Sequence, residues 1–146
     1  MEKLFITKLN PNATLPERKT DGSVGFDIAA CLDEETVIAP GETKKIGAGF
    51  AIALEQGFAA FIYARSGLGI NFGIAPGNCV GVIDSDYRGE IIVGLKNSST
   101  DAFTVKNGDR IAQMVITKCE LPELILCETL DETARGAGGF GSTGEG

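Results

Sequence analysis

Residues 78–93, NCVGVIDSDYRGEIIV, decide the fold. An apolar run through Val80, Val82 and Ile83 enters a polar tip, Asp84-Ser85-Asp86-Tyr87-Arg88-Gly89, and leaves through Ile91-Ile92-Val93. β-Branched residues on both sides of an Asp/Ser/Gly-rich tip predict a β-hairpin. Such a tip holds backbone donors and acceptors open to a small planar ligand while Asp84 and Tyr87 project from set positions; an ordinary polar turn has the same composition.

Outward from that stretch the pattern repeats. Short β-like runs span Leu4-Thr7, Val24-Ala30, Thr36-Ala39, Lys44-Leu54, Phe58-Ala64, Cys79-Ile83, Glu90-Asn97, Ala102-Val105, Arg110-Thr117 and Leu124-Glu128. Asp21-Gly22, Pro40-Gly41, Gln56-Gly57, Pro76-Gly77, Arg88-Gly89 and Asn107-Gly108 mark reversals between them. The expectation is an all-β antiparallel barrel or sandwich with at most one short helix, Ser66-Asn71, capped by Ser66. In Val24-Ala30, Val24, Phe26 and Ile28 alternate toward the core and Asp27 faces away from it. Pro122-Ala134 carries helix signals as well, but the β character before it favours a strand followed by an extended arm.

Composition bounds the chemistry. The 146 residues, 43% hydrophobic and 23% charged, suit one globular domain, and 13 Lys+Arg against 20 Asp+Glu (net charge −7) lower the prospect of nucleic-acid binding. With no histidine there is no Ser-His or Cys-His pair and no imidazole base, so a catalytic base would be a carboxylate. The 20 glycines, about twice the usual share of ~7%, imply tight turns and close backbone approaches. Cys31, Cys79, Cys119 and Cys127 form no C-x-x-C motif and read as small buried thiols. Neither a signal peptide nor a membrane-spanning run of roughly 20 apolar residues is legible, so a cytoplasmic setting and no membrane partner are expected. From Arg135 the chain becomes RGAGGFGSTGEG, too poor in apolar residues to build a core; residues 1–134 are the expected folding unit and 135–146 a flexible arm.

Three further clusters stand beside the tip. Ala64-Arg65-Ser66-Gly67-Leu68-Gly69 places a guanidinium, a hydroxyl and amides after a strand, groups that hold phosphate oxygens, although a solvated turn has the same look. In Gly108-Asp109-Arg110-Ile111-Ala112-Gln113-Met114-Val115, Gln113 shares a strand face with Ile111 and Val115; the structural alternative pairs Asp109 with Arg110 and sets Gln113 on a backbone group. Arg135, Phe140, Ser142 and Thr143 of the tail either close over a ligand or belong to a loose terminus.

VGFDIAA, ARSGLG, GVIDSDYRGE, GDRIAQMVI and RGAGGFGSTG, in that order from residue 24 to 144, resemble the five motifs of the homotrimeric dUTPases. Ala64 and Gly69 depart mildly, standing where the family often has Pro and Ala. The resemblance implies a jelly-roll subunit, a homotrimer with active sites shared between subunits, and Mg²⁺-assisted hydrolysis of dUTP to dUMP and pyrophosphate by in-line water attack on the α-phosphorus. By the same resemblance Asp84 is the general base, and Asn78 with the backbone from Gly81 through Val82 and Ile83 to Tyr87 reads uracil. Tyr87 packs on deoxyribose; Arg65, Ser66, Gly67 and Gln113 meet phosphates; Asp27 and Gln113 lie near the metal through its waters; Asp86 is structural or a supporting charge behind the site. Arg135, Gly138, Phe140, Gly141, Ser142 and Thr143 close over the substrate, Phe140 on the base. A dCTP deaminase of the same architecture, or a trimeric interaction module without turnover, are the competing readings.

Overall fold

The computed structural model describes residues 3–139 of the chain. Phe5–Lys8 (β1), Gly25–Ala29 (β2), Thr36–Ile38 (β3), Thr43–Gly47 (β4), Phe50–Ala53 (β5) and Phe58–Tyr63 (β6) precede one helix, Ser66–Phe72 (α1). Ile74–Pro76 (β7), Gly81–Ile83 (β8), Ile92–Asn97 (β9), Phe103–Val105 (β10) and Arg110–Lys118 (β11) follow. They form antiparallel sheets ordered β2-β11-β6-β8, β4-β9-β7, β1-β5 and β3-β10. The result is the expected all-β, jelly-roll-like sandwich with one short helix.

The core follows the strand period. Ile28, Ile46, Phe50, Ile62, Leu95 and Met114 lie buried between the sheets, each such side chain contributing roughly 1.5–3 kcal/mol. Among the described residues Asn97 is the one buried polar side chain, and it is fully used. Its amide donates to the carbonyls of Ile38 (2.9 Å) and Asp101 (2.7 Å) and accepts from the Ser99 amide (2.9 Å) and hydroxyl (2.7 Å).

Several expectations are corrected. The run 44–54 is two strands, because Gly49 at φ +72° turns the chain between β4 and β5. β8 begins only at Gly81, since Cys79 adopts a left-handed φ of 63°. The decisive stretch is no hairpin: β8 pairs with β6, β9 pairs with β4 and β7, and the polar tip bridges two sheets. β7 was not anticipated. Helix α1 is capped by Arg65 rather than Ser66, without a side-chain hydrogen bond. Val24 is 76% exposed rather than core-facing, while Ile28 is fully buried.

Leu124-Glu128 forms neither strand nor helix; Leu124, Ile125 and Leu126 are 93%, 80% and 100% exposed, so within one chain they find nothing to pack on. None of the four expected buried thiols is fully buried: Cys31 and Cys119 are half-buried. Cys79 and Cys127 are exposed, one on the left-handed turn and one in that unpacked segment. Among the described residues no helix is long and apolar enough to cross a membrane.

Candidate active site

Three strands bring one set of predicted residues together. In register across the sheet, Asp27 of β2 stands opposite Gln113 of β11, which stands opposite Tyr63 of β6. Arg65, two residues past Tyr63, donates from Nε to Asp27 Oδ1 at 2.9 Å. Arg110 donates from Nη1 to Asp27 Oδ2 at 3.0 Å, and Arg65 Nη1 reaches the Arg110 carbonyl at 3.4 Å. A β-bulge between Arg110 and Ala112 makes this possible: it sets Arg110 opposite Ala29, on the same strand face as Asp27. The same bulge removes Ile111 from the face of Gln113 into the core. Arg110 therefore pairs with Asp27, not with Asp109, whose carboxylate instead accepts from the Lys106 amide at 2.8 Å.

Gln113 does satisfy a backbone group, donating from Nε2 to the Ala64 carbonyl at 2.9 Å. Its Oε1 lies over Gly25, where a Cβ would stand 2.7 Å from it. Ser66 and Gly67 open α1 beside this cluster, and a Cβ on Gly67 would meet nothing within 4 Å among the described residues.

A second set occupies the opposite end of β6. β8 is an edge strand, joined to β6 through Gly81↔Ile62, Val82↔Phe61 and Ile83↔Ala60, with its other edge unpaired among the described residues. The left-handed turn at Cys79 places the Asn78 amide beside Gly81, 3.6 Å from where a Cβ on that glycine would be. Asp84 follows β8 directly and is exposed. A turn closes behind it, with the Tyr87 amide donating to the Asp84 carbonyl at 3.2 Å. Arg88 Nη1 braces that turn by donating to the carbonyls of Ser85 (2.7 Å) and Tyr87 (2.8 Å). Tyr87 Oη donates to the Glu90 carbonyl at 3.0 Å, and Glu90 Oε1 accepts from the Gly49 amide at 2.8 Å, tying the loop to the β4–β5 turn. A cavity of about 720 Å³ opens beside Asp84, walled by Phe58, Phe61, Val82, Asp86, Arg88 and Cys119 among others.

The two sets do not meet within one chain. Asp84 follows the pair Ile83↔Ala60, so it lies level with Ala59, six residues before Arg65 on the same stretch; at roughly 3.3 Å per residue that is about 20 Å. Arg135 and Gly138 hydrogen-bond one another (2.9 and 3.1 Å), and among the described residues they make no hydrogen bond to either set. Phe140, Gly141, Ser142 and Thr143 lie outside the described residues. Sequence reasoning missed the site contacts of Arg110, Arg88, Glu90, Gly25 and Gly89; Arg110 depends on a bulge that no periodicity announces.

No cluster of three or more His, Cys, Asp or Glu side chains is placed to ligate a metal among the described residues. Both Asp27 oxygens carry guanidinium partners. The donor set thus fits a hydrated cation brought in by a polyanion, held through water, and not a cation caged by protein. Elsewhere, burial and the nearby Glu90 and Asp33 carboxylates push the Cys31 thiol up, away from the reactive thiolate.

A jelly-roll subunit with an edge strand ending in an exposed carboxylate, and with a separate arginine-carboxylate cluster, has the makings of a nucleotide-handling enzyme. The family model for dUTPase matches residues 11–144. The deoxyuridine 5'-triphosphate nucleotidohydrolase of Desulfitobacterium hafniense is 53% identical over 143 residues, 97% of this chain and 95% of that protein. Among solved structures, a dUTPase of Staphylococcus bacteriophage 80alpha with dUpNHpp superposes at TM-score 0.91 and 26% identity, covering 99% of this chain and 100% of that one. A dUTPase of phage phi11 of S. aureus, 24% identical at TM-score 0.82 over 90% of this chain and 100% of its own, shares the fold; its structure describes coordination of a structural Mg(II) ion. The chain belongs to the dUTPase family of enzymes.

Proposed function

We propose that the protein hydrolyses dUTP to dUMP and pyrophosphate, keeping uracil out of DNA and supplying dUMP for thymidylate synthesis, in the cytoplasm. The observation that carries the reading is an exposed carboxylate, Asp84, immediately after a strand with one free backbone edge. Family membership and relatives named as deoxyuridine 5'-triphosphate nucleotidohydrolases support it.

Uracil pairs with the unpaired edge of Gly81, Val82 and Ile83 and with the Asn78 amide. A base that presents a different donor order leaves those groups unmatched, which refuses cytosine by a factor of up to roughly 10⁴–10⁵. From Gly81 to Asp84 is about 10 Å, room for a nucleoside laid along the strand. The sugar then falls beside Tyr87, which leaves no space for a 2′-hydroxyl, and the α-phosphorus falls near Asp84. Asp84 accepts a proton from water as its oxygen attacks that phosphorus in line; the bond to the bridging oxygen breaks and pyrophosphate departs.

Arg65, Ser66, Gly67 and Gln113 meet the phosphates from another copy of the chain, because in one copy they stand too far from Asp84. The open face of the four-stranded sheet supports assembly: Val82, Phe61 and Val115 stand in one register row across β8, β6 and β11, flanked by Gly25 of β2. We take the assembly as a homotrimer. Residues 1–134 make the folding unit, and the arm 135–146, through Arg135, Gly138, Phe140, Gly141, Ser142 and Thr143, closes over bound substrate. Asp27 and Gln113 would reach, through water, a Mg²⁺ held mainly by the triphosphate, and that ion would supply charge neutralisation there. Local arginines add to that, so a chain of net charge −7 accepts a polyanion.

Pyrophosphate release from dUTP, UTP, dCTP and dTTP with Mg²⁺, comparing the parent with Asp84→Asn, tests the reading. Selective dUTP cleavage and a loss of at least about 10²-fold in the variant are expected. Ammonia from dCTP, or a variant as active as the parent, overturns it.

A further inference from the structure

Gly89 has no backbone reason to be glycine. Its φ is outside the left-handed region, so the chain at that point accepts an L side chain. A Cβ there would meet the Tyr87 ring instead, 2.6 Å from Cζ and 3.1 Å from Cε2, with Oη nearer still. The three nearest atoms all belong to that one side chain. A methyl group at residue 89 is therefore tolerated by the loop and not by the ring, which has to leave its place.

Among the described residues the ring makes one hydrogen bond. Tyr87 Oη donates to the Glu90 carbonyl at 3.0 Å, and Glu90 is itself pinned, its carboxylate accepting from the Gly49 amide at 2.8 Å. Seat and tether are adjacent residues, so displacing the ring from Gly89 also breaks the hydrogen bond to Glu90. Tyr87 is 42% exposed, so a displaced ring has solvent to move into.

We propose that Gly89 is a specificity-determining residue: the missing side chain is the seat that holds the Tyr87 ring where it excludes a ribose 2′-hydroxyl. This rests on the reading of Tyr87 as the sugar wall. An aromatic wall rejects a hydroxyl only when it cannot yield, and an unseated ring yields. Substitution at Gly89 acts on the choice between deoxyribo- and ribonucleotide more than on turnover itself.

The test compares kcat/KM for dUTP and UTP in the parent, Gly89→Ala, Tyr87→Phe and Tyr87→Ala. Gly89→Ala lowers the dUTP:UTP ratio about tenfold or more, while Tyr87→Phe, which keeps a ring on its seat, lowers it less. In a Tyr63→Phe background Tyr87 is the one remaining tyrosine of a chain with no tryptophan, and Gly89→Ala there shifts its emission without any substrate. A ratio that collapses in Tyr87→Ala but holds in Gly89→Ala overturns the seat and leaves the wall standing. A ratio unchanged in Tyr87→Ala overturns the wall itself. Should Gly89→Ala fail to fold, Tyr87→Phe with Gly89→Ala, which removes the nearest clashing atom, is measured against Tyr87→Phe: a lower ratio supports the seat and an equal one overturns it.

Discussion

The two ends of β6 are built on opposite plans. At the Arg65 end the carboxylate and the amide donor are already engaged: Asp27 holds two guanidinium groups and Gln113 holds the Ala64 carbonyl. At the Asp84 end the carboxylate is exposed, the strand edge is unpaired, and the cavity beside it is open. The backbone of that end is nevertheless braced through Arg88, Tyr87 and Glu90. One end is a set of charges fixed in advance, the other a rigid frame with a vacant face. Electrostatic groups act best when they need not reorganise, so each half arrives ready, and under the proposed assembly the other half comes from a neighbouring copy.

Complementation is the sharpest way to break this comparison. Asp84→Asn and Arg65→Ala should each be nearly inactive. Unfolded together at equal amounts and refolded, they assemble at random; a site then works when its Asp84 and its Arg65 both come from intact chains, which gives about a quarter of the sites in a cyclic assembly. Recovery from near zero to roughly that fraction of parental pyrophosphate release is expected. Mixtures that stay inactive would place both groups in one chain and undo the two-ended description.

The Asp84 end was legible in sequence and the Arg65 end only in part, for a physical reason. Asp84 and Tyr87 sit on a turn whose composition announces it, and Asn78 lies six residues before Asp84. That β8 and β9 part company is set by their partners, β6 and β4, which are distant in sequence, so the expected hairpin was wrong although the tip was right. The Arg65 end is assembled across β2, β6 and β11, and one bulged residue decides whether Arg110 or Ile111 shares the face of Asp27. A one-residue slip exchanges strand faces, and nothing in the alternation of residues 110–117 records it. β7 is three residues long, too short for periodicity, and the apolar run near Leu124 reads as a strand because its composition says nothing about whether a partner is present.

If the Arg65 end is pre-built by its ion pairs, removing one charge should loosen it while leaving the Asp84 end intact. Asp27→Asn keeps the shape but turns an amide toward a guanidinium. The Asp27 side chain is 15% exposed and its partners 25% and 46%, so after solvent screening the loss is of order 1–2 kcal/mol in denaturant unfolding at fixed protein concentration. KM for dUTP should rise about tenfold as Arg65 loses its orientation, with the dUTP:UTP ratio unchanged. An unaltered KM would show that the guanidinium finds its place without Asp27, and a changed sugar ratio would mean the two ends are coupled within the chain.

A smaller effect sharpens the contrast further. Gly25 is the counterpart of Gly89 at the other end: its φ is not left-handed, and a Cβ there would stand 2.7 Å from Gln113 Oε1 and 3.6 Å from Gln113 Cβ and Cδ. Gly25→Ala therefore displaces the Gln113 amide and breaks its hydrogen bond to Ala64. That bond is worth about 1 kcal/mol, and replacing a strand glycine returns about 0.4–1 kcal/mol through the unfolded state, so stability should barely move. With Gln113 proposed to meet the phosphates, kcat should fall by roughly three- to tenfold while sugar selectivity stays parental, the reverse of the outcome expected at Gly89. Denaturation midpoints and dUTP and UTP kinetics on the same preparation check both halves. A variant that loses stability and keeps kcat would make Gly25 a packing residue and deny Gln113 its position at the reacting phosphate.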